Sequence, residues 1–292
     1  MVISAFAEEI KASLKNAGIE EYEFESRCII EDILGLDPVH AIMCSDKECP
    51  PEKEKAVRIL LEKRISGQPL QYLLGEWEFY GYKFKVGNGV LIPRPDTETL
   101  VETVIEHFKK ANIQNPRIAD LCSGSGCIAV TLKKQIPSCK MYAVELSSDA
   151  MPYLTENIRR NNATVKVLKG DITDGRMIEN FCDPKSTGDY LKLDCIVSNP
   201  PYLTADEMSA LQKEVSFEPK MALAGGTDGL KFYKIISCLW KEVLADGGLI
   251  AFEIGCEQGQ AVSIILSDNG FTDIKITKDL AGLDRVVSGI KS

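Results

Sequence analysis

The chain has 292 residues, 45% of them hydrophobic and 26% charged, and its 43 acidic against 34 basic side chains give a net charge of −9. That composition excludes collagen-like, low-complexity and disordered classes, and the length suits one large domain or two smaller ones. No basic start leads into an apolar run, and no segment approaches the roughly 18 apolar residues of a membrane span, so a cytoplasmic protein with no membrane partner is expected.

Residues 1–74 read as a small all-helical domain. Ile3, Phe6, Ala7 and Ile10 recur at helical spacing, as do Phe24, Ile29, Ile30 and Ile33, then Val57, Leu60, Leu61 and Ile65. Breaks fall at Asn16-Ala17-Gly18, Gly35-Leu36-Asp37-Pro38 and Cys49-Pro50-Pro51. Residues 75–92 form a linker. There Tyr80, Tyr82, Phe84 and Val86 alternate with small or charged residues around Gly81, which predicts a β-hairpin closing near Val90-Leu91-Ile92. From 93 to 292 the pattern is α/β. Pro95-Asp96-Thr97-Glu98 opens a helix with Asp96 as N-cap and an apolar face of Leu100, Val101, Val104, Ile105 and Phe108. Short apolar strands at 118–121, 141–144, 165–168, 195–198 and 249–254 alternate with helices, a rhythm that implies parallel βαβ units. Residues 271–277 and 285–290 read as a closing antiparallel pair.

The charge is uneven: residues 1–80 carry 16 acidic and 9 basic side chains, most of the net negative charge. A protein built to grip a phosphate backbone needs a basic surface, so direct nucleic-acid binding is not expected. Ten cysteines are scattered without any C-x-x-C spacing and only His40 and His107 accompany them, which points to buried free thiols and no metal.

Two motifs carry chemistry. The first strand runs into Asp120-Leu121-Cys122-Ser123-Gly124-Ser125-Gly126-Cys127 and then a helix. Glycines there let the backbone approach a ligand, and the helix start offers free N–H groups. Glu145, about twenty residues on at the end of the second strand, can accept hydrogen bonds from both hydroxyls of a ribose. A dinucleotide and S-adenosylmethionine both satisfy this pattern. The second motif is Asn199-Pro200-Pro201-Tyr202 at the end of the fourth strand. The prolines make a rigid, extended exit from the sheet. They aim the Asn199 side-chain oxygen and the Pro200 carbonyl at one point, two acceptors for a planar –NH₂ group, with Tyr202 as a flat stacking face. Such a site suits transfer of a sulfonium methyl group to a poorly nucleophilic amide or amino nitrogen, because both acceptors stabilise the positive charge building on it.

These stretches together resemble the PrmC/HemK family, S-adenosylmethionine-dependent methyltransferases that modify the glutamine side-chain nitrogen in the Gly-Gly-Gln motif of peptide chain release factors and so act on translation termination. Further matching stretches are Gln68-Pro69-Leu70-Gln71-Tyr72, Leu91-Ile92-Pro93-Arg94-Pro95-Asp96-Thr97-Glu98, Phe217-Glu218-Pro219 and Gly225-Gly226-Thr227-Asp228-Gly229-Leu230. The resemblance implies a helical substrate-docking domain, a hairpin and a Rossmann-like seven-stranded catalytic domain. It implies Asn199, Pro200, Pro201 and Tyr202 as the glutamine site. The cofactor would be contacted by Cys122, Ser123, Gly124, Ser125, Gly126, Glu145, Asp171, Ile172 and Asn199, with Ile172 against adenine, leaving S-adenosylhomocysteine as product and using no metal. Cys122 stands where the family usually has glycine, and Glu145 where aspartate is commoner.

Other readings compete. An adenine or cytosine amino-methyltransferase would use the same Asn-Pro-Pro-Tyr site, a nicotinamide oxidoreductase the same glycine loop, and a silent binding module neither. Arg94, Asp96 and Glu98 are explained equally by helix-start electrostatics and by ligand contact, and the 225–229 glycines equally by a mobile loop and a plain turn. His107 reads as structural.

Overall fold

A computed structural model describes residues 1–181 and 191–292, in two compact units. The first comprises Met1–Glu76 and Gln212–Phe217. Its helices are Ile3–Asn16, Tyr22–Ile29 (running on as a π turn, Ile30–Leu34), Pro38–Met43, Pro51–Ile65 and Leu70–Leu74. Ile3, Phe6, Ile10 and Leu14 lie on one helical stripe and bury against Ile29, Leu34, Val57, Leu61 and Leu70. Gly35 stops the π turn in the left-handed conformation, and Asp37 caps the next helix by accepting from the His40 backbone N–H at 2.9 Å. Phe24 and Ile65, expected on the apolar faces, are instead exposed, because each falls at the edge of its helix's buried stripe. Arg64 is buried and takes Glu25 in a two-pronged ion pair at 2.7 and 2.8 Å and Glu214 at 2.6 Å. That pairing ties 212–217 to the helical unit, whereas the sequence places this segment within 93–292.

The second unit, Trp77–Leu211 and Glu218–Ser292, begins with strands β1 (Glu76–Phe79) and β2 (Tyr82–Lys85). Tyr80 and Gly81 both take positive φ, as a two-residue hairpin turn requires. The hairpin therefore ends at Lys85. Residues 90–92 are not a strand: Val90 and Ile92 are buried and the Ile92 N–H goes to the Glu218 carboxylate at 3.2 Å instead of a ladder partner. Phe79 and Phe84 pack edge to face in the core, with Tyr80 and Tyr82 partly buried against it.

The main sheet contains β3 (Arg117–Leu121), β4 (Lys140–Glu145), β5 (Val165–Lys169), β6 (Leu193–Ser198), β7 (Leu244–Glu253), β8 (Phe271–Lys278) and β9 (Asp284–Lys291), in the order β5-β4-β3-β6-β7-β9-β8. The pairings among β3 to β7 are parallel, and β9 runs antiparallel to β7 and β8. Alternate residues face opposite layers: Cys195 and Val197 join Leu100, Val104 and Ile128 on one side, while Ile196 joins Tyr233, Trp240 and Phe252 on the other. The seven-stranded α/β architecture is thus present. Among the described residues no helix is long and apolar enough to cross a membrane.

The thiols are all free among the described residues, but only some are buried. Cys49, Cys127, Cys139 and Cys195 are buried, whereas Cys238 and Cys256 are exposed, on a helix's outer face and in a loop; Cys182 lies outside the described residues. His107 stacks edge-on against Phe108, and burial lowers its pKa.

Candidate active site

The strand order reverses between β4 and β6, on either side of β3, and at such a switch point the loops leaving adjacent strands open a crevice. Leu121 pairs with Ser198, whose hydroxyl donates to the Leu121 carbonyl at 2.6 Å. The residues that follow, Cys122 and Asn199, therefore emerge side by side into a cleft.

The glycine loop forms one wall. Cys122, Gly124 and Gly126 all have positive φ. Gly126 is required twice over, since a Cβ there would meet the Leu154 side chain at 2.6 Å. Gly124 has only Val90 within 4.0 Å in the same test, so its backbone is open on the cleft side. Cys122 accepts a conformation that its Cβ disfavours and lines the cleft beside Ser123, Gly124 and Ser125. Gly126 is not among the lining residues. Asp120, wholly buried just before the loop, has its carboxyl pKa pushed well above its ordinary value by burial.

Glu145 closes β4, and both its oxygens are engaged: Gly124 N–H donates to Oε2 and Ser147 N–H to Oε1, each at 2.7 Å. Each oxygen keeps a second lone pair for a ligand hydroxyl. Asp171 and Ile172 line the cleft after β5; Asp171 holds the Thr173 N–H and hydroxyl, and the Ile172 carbonyl accepts from Trp240 Nε1 at 2.9 Å.

Of the tetrapeptide, Asn199 and Pro201 line the cleft, and Pro200 and Tyr202 do not. Pro200 is buried and Tyr202 half-buried against the Tyr233 layer, where burial raises its phenol pKa. Asn199 Nδ2 donates to Thr97 Oγ1 at 3.4 Å.

Three groups whose roles the sequence left open have structural partners. Arg94 lines the cleft and forms an ion pair with the buried Glu218. Asp96 sits at the helix N-cap position but makes no side-chain cap; it faces Arg285 at 3.3 Å. Glu98 accepts the Tyr80 N–H at 2.8 Å and so braces the hairpin. Gly225 and Gly229 are packed directly on the tetrapeptide: a Cβ at Gly225 would lie 2.7 Å from Tyr202 Cα, and one at Gly229 would overlap the Tyr202 carbonyl. Gln258 Nε2 donates to that same carbonyl at 3.0 Å. Sequence reasoning missed Thr97, Gln258 and Glu253, the last a buried acid at the end of β7. A signal was available, because Glu253 closes an apolar strand just as Glu145 does.

Residues 7–75 match the PrmC N-terminal domain family and residues 95–224 the Methyltransferase small domain family. The release factor glutamine methyltransferase of Thermodesulfovibrio yellowstonii is 41% identical over 90% of each chain. That of Clostridium botulinum is 39% identical over 95% of each. The crystal structure of a methyltransferase from Pyrococcus furiosus, 18% identical, superposes with a TM-score of 0.52 over 82% of this chain and 98% of that one, a likeness of fold.

Proposed function

The chain belongs to the release factor glutamine methyltransferase family, and on that premise we propose that it transfers the methyl group of S-adenosylmethionine to the side-chain amide nitrogen of glutamine in the Gly-Gly-Gln motif of a peptide chain release factor. The observation that carries the reading is the emergence of the glycine loop and Asn199 side by side from paired strands.

The residues present fit the cofactor. Gly124 leaves the backbone open to the cleft, Glu145 retains acceptor capacity toward a ribose diol, and Ile172 offers a buried apolar contact for a flat base. The bound cofactor supplies an electrophilic methyl group on a positively charged sulfur. Cys122 to Ser125, Glu145, Asp171 and Ile172, which line the cleft, would hold it. Asn199 Oδ1 receives an N–H hydrogen of the substrate amide and keeps its nitrogen in line with the methyl carbon. The methyl carbon would pass from the sulfonium sulfur to the nitrogen that Asn199 holds, leaving S-adenosylhomocysteine with a neutral sulfur and releasing one amide proton to solvent. No strong base is needed, because that proton becomes acidic only as the methyl group arrives.

Incubation with methyl-labelled S-adenosylmethionine and either release factor or nucleic acid tests the reading. Label is expected in the release factor, lost when its motif glutamine is replaced; label in nucleic acid alone would overturn it.

A further inference from the structure

Behind Asn199, at the end of β7, lies a carboxylate that the reaction above leaves unused. Glu253 is 2% exposed. Its backbone is fixed by pairing with Val286 and by the Tyr233 hydroxyl, which donates to the Glu253 carbonyl at 3.0 Å. Its Oε2 makes no full hydrogen bond among the described residues. The uncharged polar groups that approach the carboxyl are the Thr97 hydroxyl, from the first turn of the helix Thr97–Ala111, and the Asn199 amide. Asn199 Nδ2 in turn faces Thr97 Oγ1.

An asparagine amide has two ends of nearly the same shape, one donating and one accepting, and only its surroundings decide which end faces outward. An ionised carboxylate can only accept. Beside it, Asn199 must turn its NH₂ inward, since the opposite orientation would set two buried acceptors against each other. We propose that Glu253 is a positioning residue which, with Thr97, holds Asn199 with Nδ2 inward and Oδ1 toward the cleft, presenting the acceptor that the substrate amide needs. This rests on the reading of Asn199 as that acceptor.

The orientation depends on charge. Burial raises the Glu253 pKa to about 7, against the opposing pull of Thr97, Arg285 and Asn199, while Asp96 pushes it further up. The other titratable groups facing it are Tyr202, Tyr233 and Cys127. Arg285 is itself held by Asp96 and Asp279 at 3.3 and 3.1 Å. Once protonated, Glu253 can donate to Oδ1 and the inward preference of Nδ2 is lost.

The test measures kcat and KM with release factor from about pH 5.5 to about pH 9. Wild-type kcat is expected to rise through an apparent pKa near 7. Glu253→Gln, isosteric but able to donate as well as accept, is expected to lower kcat about tenfold at pH 8, to abolish that acid limb, and to leave S-adenosylmethionine affinity intact. Thr97→Val, the second variant, is expected to lower kcat several-fold with the limb retained. An E253Q enzyme with wild-type kcat and pH profile overturns the proposal, as does an unimpaired T97V should E253Q fail to fold. Asn199→Ala separates the two levels: if it turns over normally, the reading of Asn199 fails; if it is crippled while E253Q is not, only the role of Glu253 falls.

Discussion

Asn199 and Glu145 sit at equivalent places, just past or at the carboxyl end of a parallel strand, yet the proposed function gives them different partners, and substitution separates them on that reading. Asn199→Ala removes an acceptor for the substrate amide and should lower kcat by roughly 100-fold or more, while cofactor affinity measured by calorimetry changes little. Glu145→Ala strips the Gly124 and Ser147 N–H groups of their shared acceptor. It should weaken cofactor binding by about tenfold or more in the same calorimetric measurement. Glu253 gives a stability prediction of its own. Its pKa is about 7 in the fold against an ordinary 4.5, so the fold favours the neutral form. The stabilisation linked to that proton is complete below about pH 4.5 and is lost as pH rises through about 7. E253Q, neutral throughout, should therefore gain about 2 kcal/mol over wild type in urea unfolding at pH 8 and under about 1 kcal/mol near pH 5. An equal gain at both would show that the raised pKa is not the cause.

The elements explain why some of the site could be read in the sequence and some could not. The glycine loop and Asn199-Pro200-Pro201-Tyr202 were legible because each is a local device: a strand, a turn whose residue types are dictated by φ, and a helix or an extended exit. Their meeting was legible too, since a parallel sheet with a switch point brings strand ends together. The support behind them was not. Gly225 and Gly229 left a mobile loop and a plain turn equally open in the sequence, because nothing local reveals that the carbonyl and Cα of Tyr202 lie against them. Asp96 read as a cap because its partner Arg285 comes from the far end of the chain. Residues 90–92 read as strand because burial alone supplied their apolar pattern, with Glu218 taking the N–H that a ladder would have used. Gly229→Ala tests this packing. It adds a Cβ at φ +71° against the Tyr202 carbonyl and the Gln258 amide. Catalysis with release factor should fall about tenfold or more while cofactor affinity holds, because the displaced element is the substrate loop and not the glycine loop.

At the scale of the molecule, charge distinguishes the parts. Residues 1–80 hold 16 acidic and 9 basic side chains, and the remainder 27 and 25. Glu20, Glu21 and Glu23 are exposed at the start of the second helix, and Glu31 and Asp32 follow on its π turn. Excess charge concentrated in one unit is costly in self-repulsion unless a partner offsets it, and a basic face on the release factor would do so. Attraction of that kind acts on encounter and is screened within a Debye length of about 8 Å at physiological salt. The helical unit should therefore govern KM for release factor and leave kcat alone. KM should rise several-fold between about 50 and about 300 mM salt at constant kcat, and neutralising Glu20, Glu21 and Glu23 together to Gln should both raise KM and flatten that dependence. A short Gly-Gly-Gln peptide, which reaches only the cleft, should show neither effect. A salt-independent KM for the full release factor, or one unchanged by the triple substitution, would remove the acidic unit from recognition and leave the cleft as the sole determinant of substrate choice.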